Sequence, residues 1–331
     1  MARRFVASLG DGDSVEDVFL VAEKQLRVNR NGQSFIQMDL QDRSGSIAAR
    51  VWNAGEGLFR AFEVGDFLLV KGKVQLFQGA LQMIASQIEK YDASKVQIID
   101  FMPHTEQDVN KLLEKLRNYL LKLTNHHLRA LAQSYLMDET FMQGFTHAPA
   151  GIKVHHAYIG GLLEHVVSML EVADRILPLY PDVNRDLLLI GIFLHDSGKV
   201  RELAYESAFG YTDEGQLLGH LAIGQEMMES RLKDVEELTG ERFPGELLLR
   251  LKHMILSHHG SLEFGSPKVP MTPEAVALHA IDTLDTRIHI TLREIKDNRT
   301  SSTWTPYNPA LQRKLYKGGK GDPSAIVEED S

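Results

Sequence analysis

Near residue 100 the hydrophobic pattern of this 331-residue chain changes its period, so no single class of secondary structure accommodates both parts. Before that point apolar residues alternate in short runs separated by turn residues. VFLVAEKQLRV leads into Asn29-Arg30-Asn31-Gly32, where Asn-Gly favours the positive-φ geometry of a tight hairpin. SFIQMDLQ, a second turn at Asp42-Arg43-Ser44-Gly45 and SIAARVW follow. A short helical piece around Gly55–Phe62 then precedes DFLLVKGKVQ, a turn near Gly79 and LQMIASQI. From Thr105 onward strand signals stop. TEQDVNKLLEKLRNYLLKL is an amphipathic helix beginning at Thr105, and helical spacing persists to Arg299, broken at Pro149, Pro178, Pro181, Pro244 and LEFGSPKVPMTP. Residues 95–105, ending in Met102-Pro103-His104, form the junction. The pattern predicts a multidomain chain: an all-β domain over residues 1–100, an all-helical domain over 101–316, and a Gly-rich, then acidic, disordered tail over 317–331.

Five strands with a helix between the third and fourth resemble the oligonucleotide/oligosaccharide-binding (OB) barrel over about 80 residues. The charge balance gives that barrel no obvious polyanion partner. The net charge is −9, with 12 Lys/Arg against 13 Asp/Glu in residues 1–100 and 24 against 32 beyond. Such an acidic body repels polyanions unless bound divalent metal or a local basic segment reverses the field. Cysteine is absent, which excludes disulfides, zinc–thiolate sites and a cysteine nucleophile. No run approaches the ~18 apolar residues of a membrane span, and MARRFVASLGDGDSVEDV lacks the apolar core of a signal peptide. A cytoplasmic protein with no membrane partner is the simplest expectation.

Histidine points to chemistry. Nine of the 14 histidines fall between His147 and His259, and imidazole is a common metal ligand. Four helical segments each carry a ligand-type residue in phase with an apolar stripe. His165 lies beside Leu162, Val166 and Leu170, with Gly161 one turn earlier permitting close backbone approach. In DLLLIGIFLHDSGK, His195 follows Leu188 and Ile192 in register, Asp196 comes next and Gly198 ends the helix. Leu247, Leu251, Met254 and Ile255 lead to His258, and Leu278 precedes Asp282 by four residues. One inward histidine is usually a hydrogen-bonded core residue. Several on separate helix ends, with an adjacent carboxylate, favour a metal, because unpaired polar groups are costly to bury. Imidazole and carboxylate without thiolate suit Mn, Fe, Co, Ni or Zn, with Mg also open.

His165, His195-Asp196 within HDSGK, and Asp282 resemble the H…HD…D signature of HD-domain metal-dependent phosphohydrolases. His220 in GHLAIGQE and His258 in SHHG are similar to the two further histidines of the binuclear subgroup. That resemblance implies an all-α HD domain with two divalent metal ions. One ion takes His165, His195, Asp196 and Asp282; the other shares Asp196 as a bridge and adds His220 and His258. Asp196 and Lys199 become the catalytic pair, Lys199 at a phosphate, and His259 a supporting donor or substrate contact. Two metals in such a site stabilise an in-line phosphoryl displacement.

An OB barrel followed by an HD domain, with VHHAYIGGLLEH and NRTSSTWTPYNPALQRKLY, resembles the YhaM-type 3′→5′ exoribonucleases over nearly the full chain. The resemblance implies a divalent-metal enzyme, commonly manganese-dependent, that shortens single-stranded RNA, with DNA a second substrate to test. Independently, aromatic platforms and cations on an OB barrel bind single strands. Phe35, Trp52 and Phe77, with Lys24, Arg27, Arg30, Arg50, Lys71 and Lys73, are the candidates, and strand parity turns Phe35 and Trp52 outward. The barrel is equally open to packing against a neighbouring subunit of a homo-oligomer. Lys153, His155 and His156 reach a phosphate or terminal ribose only if the His165 helix begins after them. Rival readings are a phosphohydrolase of nucleotides or cyclic dinucleotides and a nucleic-acid-binding module on a degenerate site. The first leaves the barrel without a role, the cyclic-dinucleotide group carries a Gly-Tyr-Pro motif absent after SHHG, and the third loses its basis because every ligand position is present.

Overall fold

The computed structural model describes residues 3–29, 31–77, 80–97, 100–152, 156–205, 209–298, 302–308 and 311–319. Its contacts divide the chain into two compact units, with the main division between His104 and Thr105.

In the first unit β1 (Ser14–Val28), β2 (Ser34–Asp42), β3 (Gly45–Trp52), β4 (Phe67–Phe77) and β5 (Ala80–Tyr91) close into a barrel of order β1-β2-β3-β5-β4. The short helix α1 (Glu56–Phe59) lies between β3 and β4 in the chain. The β3–β5 pair is parallel and the others are antiparallel. Alternation does what the sequence implies: Ile36, Met38 and Leu40 of β2, Ile47, Ala49 and Val51 of β3, and Val70 and Val74 of β4 fill the interior. At the second turn Asp42 is buried and accepts from Ser44 N and Oγ at 2.8 and 2.6 Å and from Val6 N at 2.6 Å. A bulge at Lys71/Gly72 brings two backbones so close that a Cβ on Gly72 would lie 2.6 Å from the Ile84 carbonyl oxygen.

The second unit is helical: α2 (Val109–Leu121), α3 (His126–Leu136), α4 (Glu139–His147), α5 (Gly161–Ile176), α6 (Arg185–Leu194), α7 (Lys199–Glu202), α8 (Asp213–Ser230), α9 (Leu232–Thr239), α10 (Gly245–Ser257) and α11 (Pro273–Asp297). The first of these starts later than Thr105. Asp108 is its cap, accepting from Asn110 N at 2.9 Å and Lys111 N at 3.3 Å, while Thr105 is held by Gln107 N and Glu164. Helix α6 is buried from Asp186 to Leu194, which explains its nearly unbroken apolar sequence. Truncating any of its leucines to Ala should cost ~2–5 kcal/mol. Among the described residues the one strand pair here is β6 (Leu203–Ala204) with β7 (Gly210–Tyr211), two residues each and too short to show alternation in the sequence. Residues 302–308 and 311–319 form a hairpin with bridges Trp304↔Tyr316 and Asn308↔Arg313. The tail expected from residue 317 therefore begins inside this hairpin, where Lys317 N donates to the Thr303 carbonyl at 2.8 Å; residues 320–331 lie outside the described part.

Candidate metal centre

Five imidazoles converge because four helices bring them together, two at their C-terminal ends, one in the first turns and one at an internal break. His165 sits on the first turns of α5, where Gly161 is obligatory: a Cβ there would lie 2.1 Å from the His156 carbonyl oxygen. His195 and His258 are the C-terminal caps of α6 and α10. His220 is placed by a break in α8 at Gly219, whose φ of 71° and ψ of 157° re-aim the chain. His259 follows His258 directly.

The hydrogen bonds fix the tautomer of every ring. Nδ1 of His165 lies 2.8 Å from Asp285 Oδ2, that of His195 2.7 Å from the Ile192 carbonyl, and that of His220 3.0 Å from Glu202 Oε1. Nδ1 of His258 lies 2.8 Å from the Ile255 carbonyl and that of His259 2.9 Å from the Phe264 carbonyl. All five partners are acceptors, so each Nδ1 carries a proton, and each ring, once in its neutral form, presents an Nε2 lone pair to the interior. Those lone pairs face carboxylates and one another. Asp196 Oδ2 is 3.3 Å from His195 Nε2 and 3.9 Å from His165 Nε2, whereas Asp196 Oδ1 is 3.4 Å from His220 Nε2 and 3.6 Å from His258 Nε2. Asp282 Oδ1 stands 3.4 Å from His165 Nε2, and the Nε2 atoms of His220 and His259 are 3.2 Å apart. His195 Nε2 and Asp196 Oδ1 are buried and make no hydrogen bond among the described residues.

Acceptor facing acceptor in a dry site is unfavourable without a cation. Three overlapping groups have ligand atoms within 4.8 Å of one another: His165-His195-Asp282, His195-Asp196-His258 and His220-His258-His259. This donor set fits divalent metal of the imidazole–carboxylate kind, and the Nδ1 bonds are the outer contacts that orient metal-binding histidines.

Electrostatics agree. Burial opposes charge on His165, but Asp282 and Asp285 outweigh it and raise the ring to about 9, so a cation is favoured at that spot. Burial lowers His220 and His258, and burial with the neighbouring His258 takes His259 down to about 4. Burial works against ionised Asp196, yet Lys199 and His195 hold it well below the usual carboxylate range.

His165, His195, Asp196, His220, His258 and Asp282 are thus brought together, with His259 alongside. Lys199 departs from its expected place. It is buried, with Nζ donating to Asp196 Oδ2 at 2.7 Å and to the Ala150 carbonyl at 2.6 Å, so it steadies the carboxylate instead of reaching out to a phosphate. His156 also differs. Helix α5 does begin after it, but the ring turns inward with φ at 43°, bonded to Asp285 and Tyr158 and stacked 3.8 Å from His289, because Asp285 captures it. Lys153 and His155 lie outside the described residues. Sequence reasoning missed Asp285, Glu202 and His289. Asp285 and His289 share the Asp282 face at i+3 and i+7 of α11, a readable signal; Glu202 reaches His220 only through the fold.

On the barrel Phe35 and Trp52 pair across β2 and β3 with ring centroids 4.8 Å apart. Arg50 lies 5.9 Å from the Trp52 ring and 5.4 Å from that of Phe77, and Trp52 and Phe77 are exposed. Lys24 does not join this face: its ammonium is buried against the Phe59 and Phe62 carbonyls and Glu63. Lys71 pairs with Glu16 at 2.9 Å, Arg27 bonds Gln25, and Arg30 lies outside the described residues.

Residues 20–91 match the family model described as OB-fold nucleic acid binding domain, and residues 162–287 match the HD domain. The 3′-5′ exoribonuclease YhaM of Geobacillus sp. strain WCH70 is 35% identical over 307 residues, 92% of this chain and 92% of that protein. This chain belongs to the YhaM 3′-5′ exoribonuclease family. The YhaM proteins of Bacillus velezensis and Bacillus subtilis are 37% identical over 84% of the chain and 35% identical over 86%, covering 86% and 88% of those proteins. No helix among the described residues is long and apolar enough to cross a membrane.

Proposed function

We propose that this YhaM-family protein is a cytoplasmic 3′→5′ exonuclease of single-stranded RNA whose HD centre holds two divalent ions, manganese foremost. The observation that carries the reading is Asp196: its two oxygens are divided between His165/His195 on one side and His220/His258 on the other, the arrangement of a bridging ligand. Asp282 completes the first set, and His259 stands ready beside the second. Divalent ions bound there supply Lewis acidity toward phosphoryl oxygens and compensate charge in an in-line displacement.

The chain's own groups prepare that chemistry. The five Nδ1 bonds hold the rings so that binding costs little reorientation. Lys199 keeps Asp196 ionised and fixed at Oδ2. His259, held neutral near pH 7 by burial and His258, presents an acceptor at the edge of the cluster. Phe35, Trp52 and Phe77 offer ring faces for bases and Arg50 a cation for phosphate, a combination suited to single strands without sequence preference.

The test is a time course on 5′-labelled single-stranded RNA and DNA of equal sequence with manganese, magnesium or chelator. The proposal expects a ladder shortening from the 3′ end, abolished by chelator and by Asp196→Ala, with RNA consumed faster than DNA. Intact oligonucleotide under every metal, or internal cuts, would contradict it.

A further inference from the structure

An acidic protein that degrades RNA must somewhere reverse its field, and the C-terminal part of the HD unit does so. Residues 286–319 carry seven Lys/Arg against two Asp/Glu in a chain of net charge −9. Folding organises this charge. Leu311 and Leu315 of the hairpin are buried against Ile295 and Ile290 of α11, and Asn308 Nδ2 donates to Glu294 Oε2 at 2.8 Å. Thr305 N bonds the Leu315 carbonyl and Leu315 N bonds Thr305 Oγ1, both at 2.9 Å, so the hairpin is a fixed element. Its outer surface keeps what the inner surface excludes: Trp304, Tyr307 and Tyr316 are 49%, 58% and 55% exposed. The Trp304 and Tyr316 rings lie 5.1 Å apart at 56°, a tilt that leaves ring faces open to solvent.

Between hairpin and helix is a cavity of about 460 Å³ lined by Arg287, Thr291, Leu311, Arg313 and Leu315. Arg313 spends Nε on the Leu311 carbonyl at 2.9 Å, and Arg287 is exposed with no hydrogen bond or ion pair among the described residues. Arg287 follows Asp285 by two residues, about 200° round the helix, so the cavity lies on the face of α11 opposite the metal centre.

We propose that this hairpin and the adjoining face of α11 form a second single-strand RNA platform, in which Trp304 and Tyr316 stack on bases while Arg287 and Arg313 take backbone phosphates. Guanidinium forks recognise phosphate and aromatic rings accept any base, so the platform is sequence-tolerant. It rests on the reading of the protein as an RNA exonuclease and adds a grip on the strand outside both the barrel and the metal centre.

The experiment is fluorescence anisotropy of a labelled single-stranded oligoadenylate with the full chain in chelator, at several salt concentrations. Arg287→Gln with Arg313→Gln should weaken binding and flatten the slope of log affinity against log salt by about 1.4, the value for two lost single-strand phosphate contacts. Trp304→Ala should weaken binding by roughly 5- to 150-fold, the range for one stacked base. Lys233→Gln, which removes an exposed charge on α9, should change neither. Because Arg287 has no partner among the described residues, Arg287→Gln alone tests the phosphate contact without disturbing packing. Wild-type affinity and slope in the Arg and Trp variants, beside a wild type that binds and shortens RNA, would overturn the platform alone. A wild type that neither binds nor shortens RNA would overturn both readings.

Discussion

Asp285→Asn separates a metal-organising carboxylate from a merely structural one. Asp285 Oδ2 accepts a hydrogen bond from His165 Nδ1–H at 2.8 Å and faces His156 Nε2 at 3.1 Å, while Oδ1 accepts from Ser168. Asn keeps the shape and one carbonyl, but its amide cannot accept, and the charge that polarises His165 is gone. Loss of such an outer partner typically costs 10–100-fold in metal affinity, or about 1.4–2.7 kcal/mol. The assay is calorimetric manganese titration of metal-free protein, with the thermal midpoint recorded in chelator. The expected result is a 10- to 100-fold weaker manganese site with the barrel intact by circular dichroism. Unchanged manganese affinity with a lowered midpoint would show that Asp285 only braces the fold, and would remove His165 from the ligand set.

Lys199→Met leaves buried Asp196 without its ammonium partner. Breaking one side of such a pair costs ~3–5 kcal/mol in chelator, and manganese should restore part of it, as urea midpoints with and without metal will show. Gly198→Ala places a Cβ 2.2 Å from the His220 carbonyl oxygen and 2.7 Å from Gly224 N, so α7 must move off α8. A loss of ~1–3 kcal/mol with displaced His220 and lost turnover is expected, read by denaturation and the gel assay together. The pH dependence of the metal-free protein follows from shifts of opposite sign. His165, raised to about 9 against an unfolded value near 6.5, binds its proton better when folded, so that contribution is lost as pH climbs from 6.5 to 9. His259 and His289, lowered to about 4 by burial, are protonated more readily when unfolded, so stability falls as pH drops from 6.5 to 4. Urea midpoints in chelator should therefore peak near about pH 6.5.

The barrel was legible because β2 and β3 alternate without interruption and their turns carry Asn-Gly and Asp-Arg-Ser-Gly. The metal cluster was legible for a different reason. His195-Asp196 and His258 end apolar helices, so a stripe in phase with a polar terminus marks where the packed faces converge. The second tier was less so. Glu202 is four residues into a short helix and meets His220 only because α8 breaks at Gly219, and nothing local in the sequence announces that break. Lys199 reads as a phosphate contact by its place in HDSGK; burial of α7 against α8 turns it onto Asp196. His156 read as a phosphate contact because the pull of Asp285, 129 residues away, leaves no local trace.

The central claim is that Asp196 joins two divalent ions at the site of RNA hydrolysis. The measurement is metal content per chain by mass spectrometry after manganese loading and desalting, for wild type and Asp196→Ala, beside turnover of labelled RNA. Two manganese per wild-type chain, with metal and 3′→5′ shortening both lost in a folded Asp196→Ala protein, is the predicted result. Full turnover with one metal or none, or an Asp196→Ala protein that keeps both ions and its activity, would contradict it.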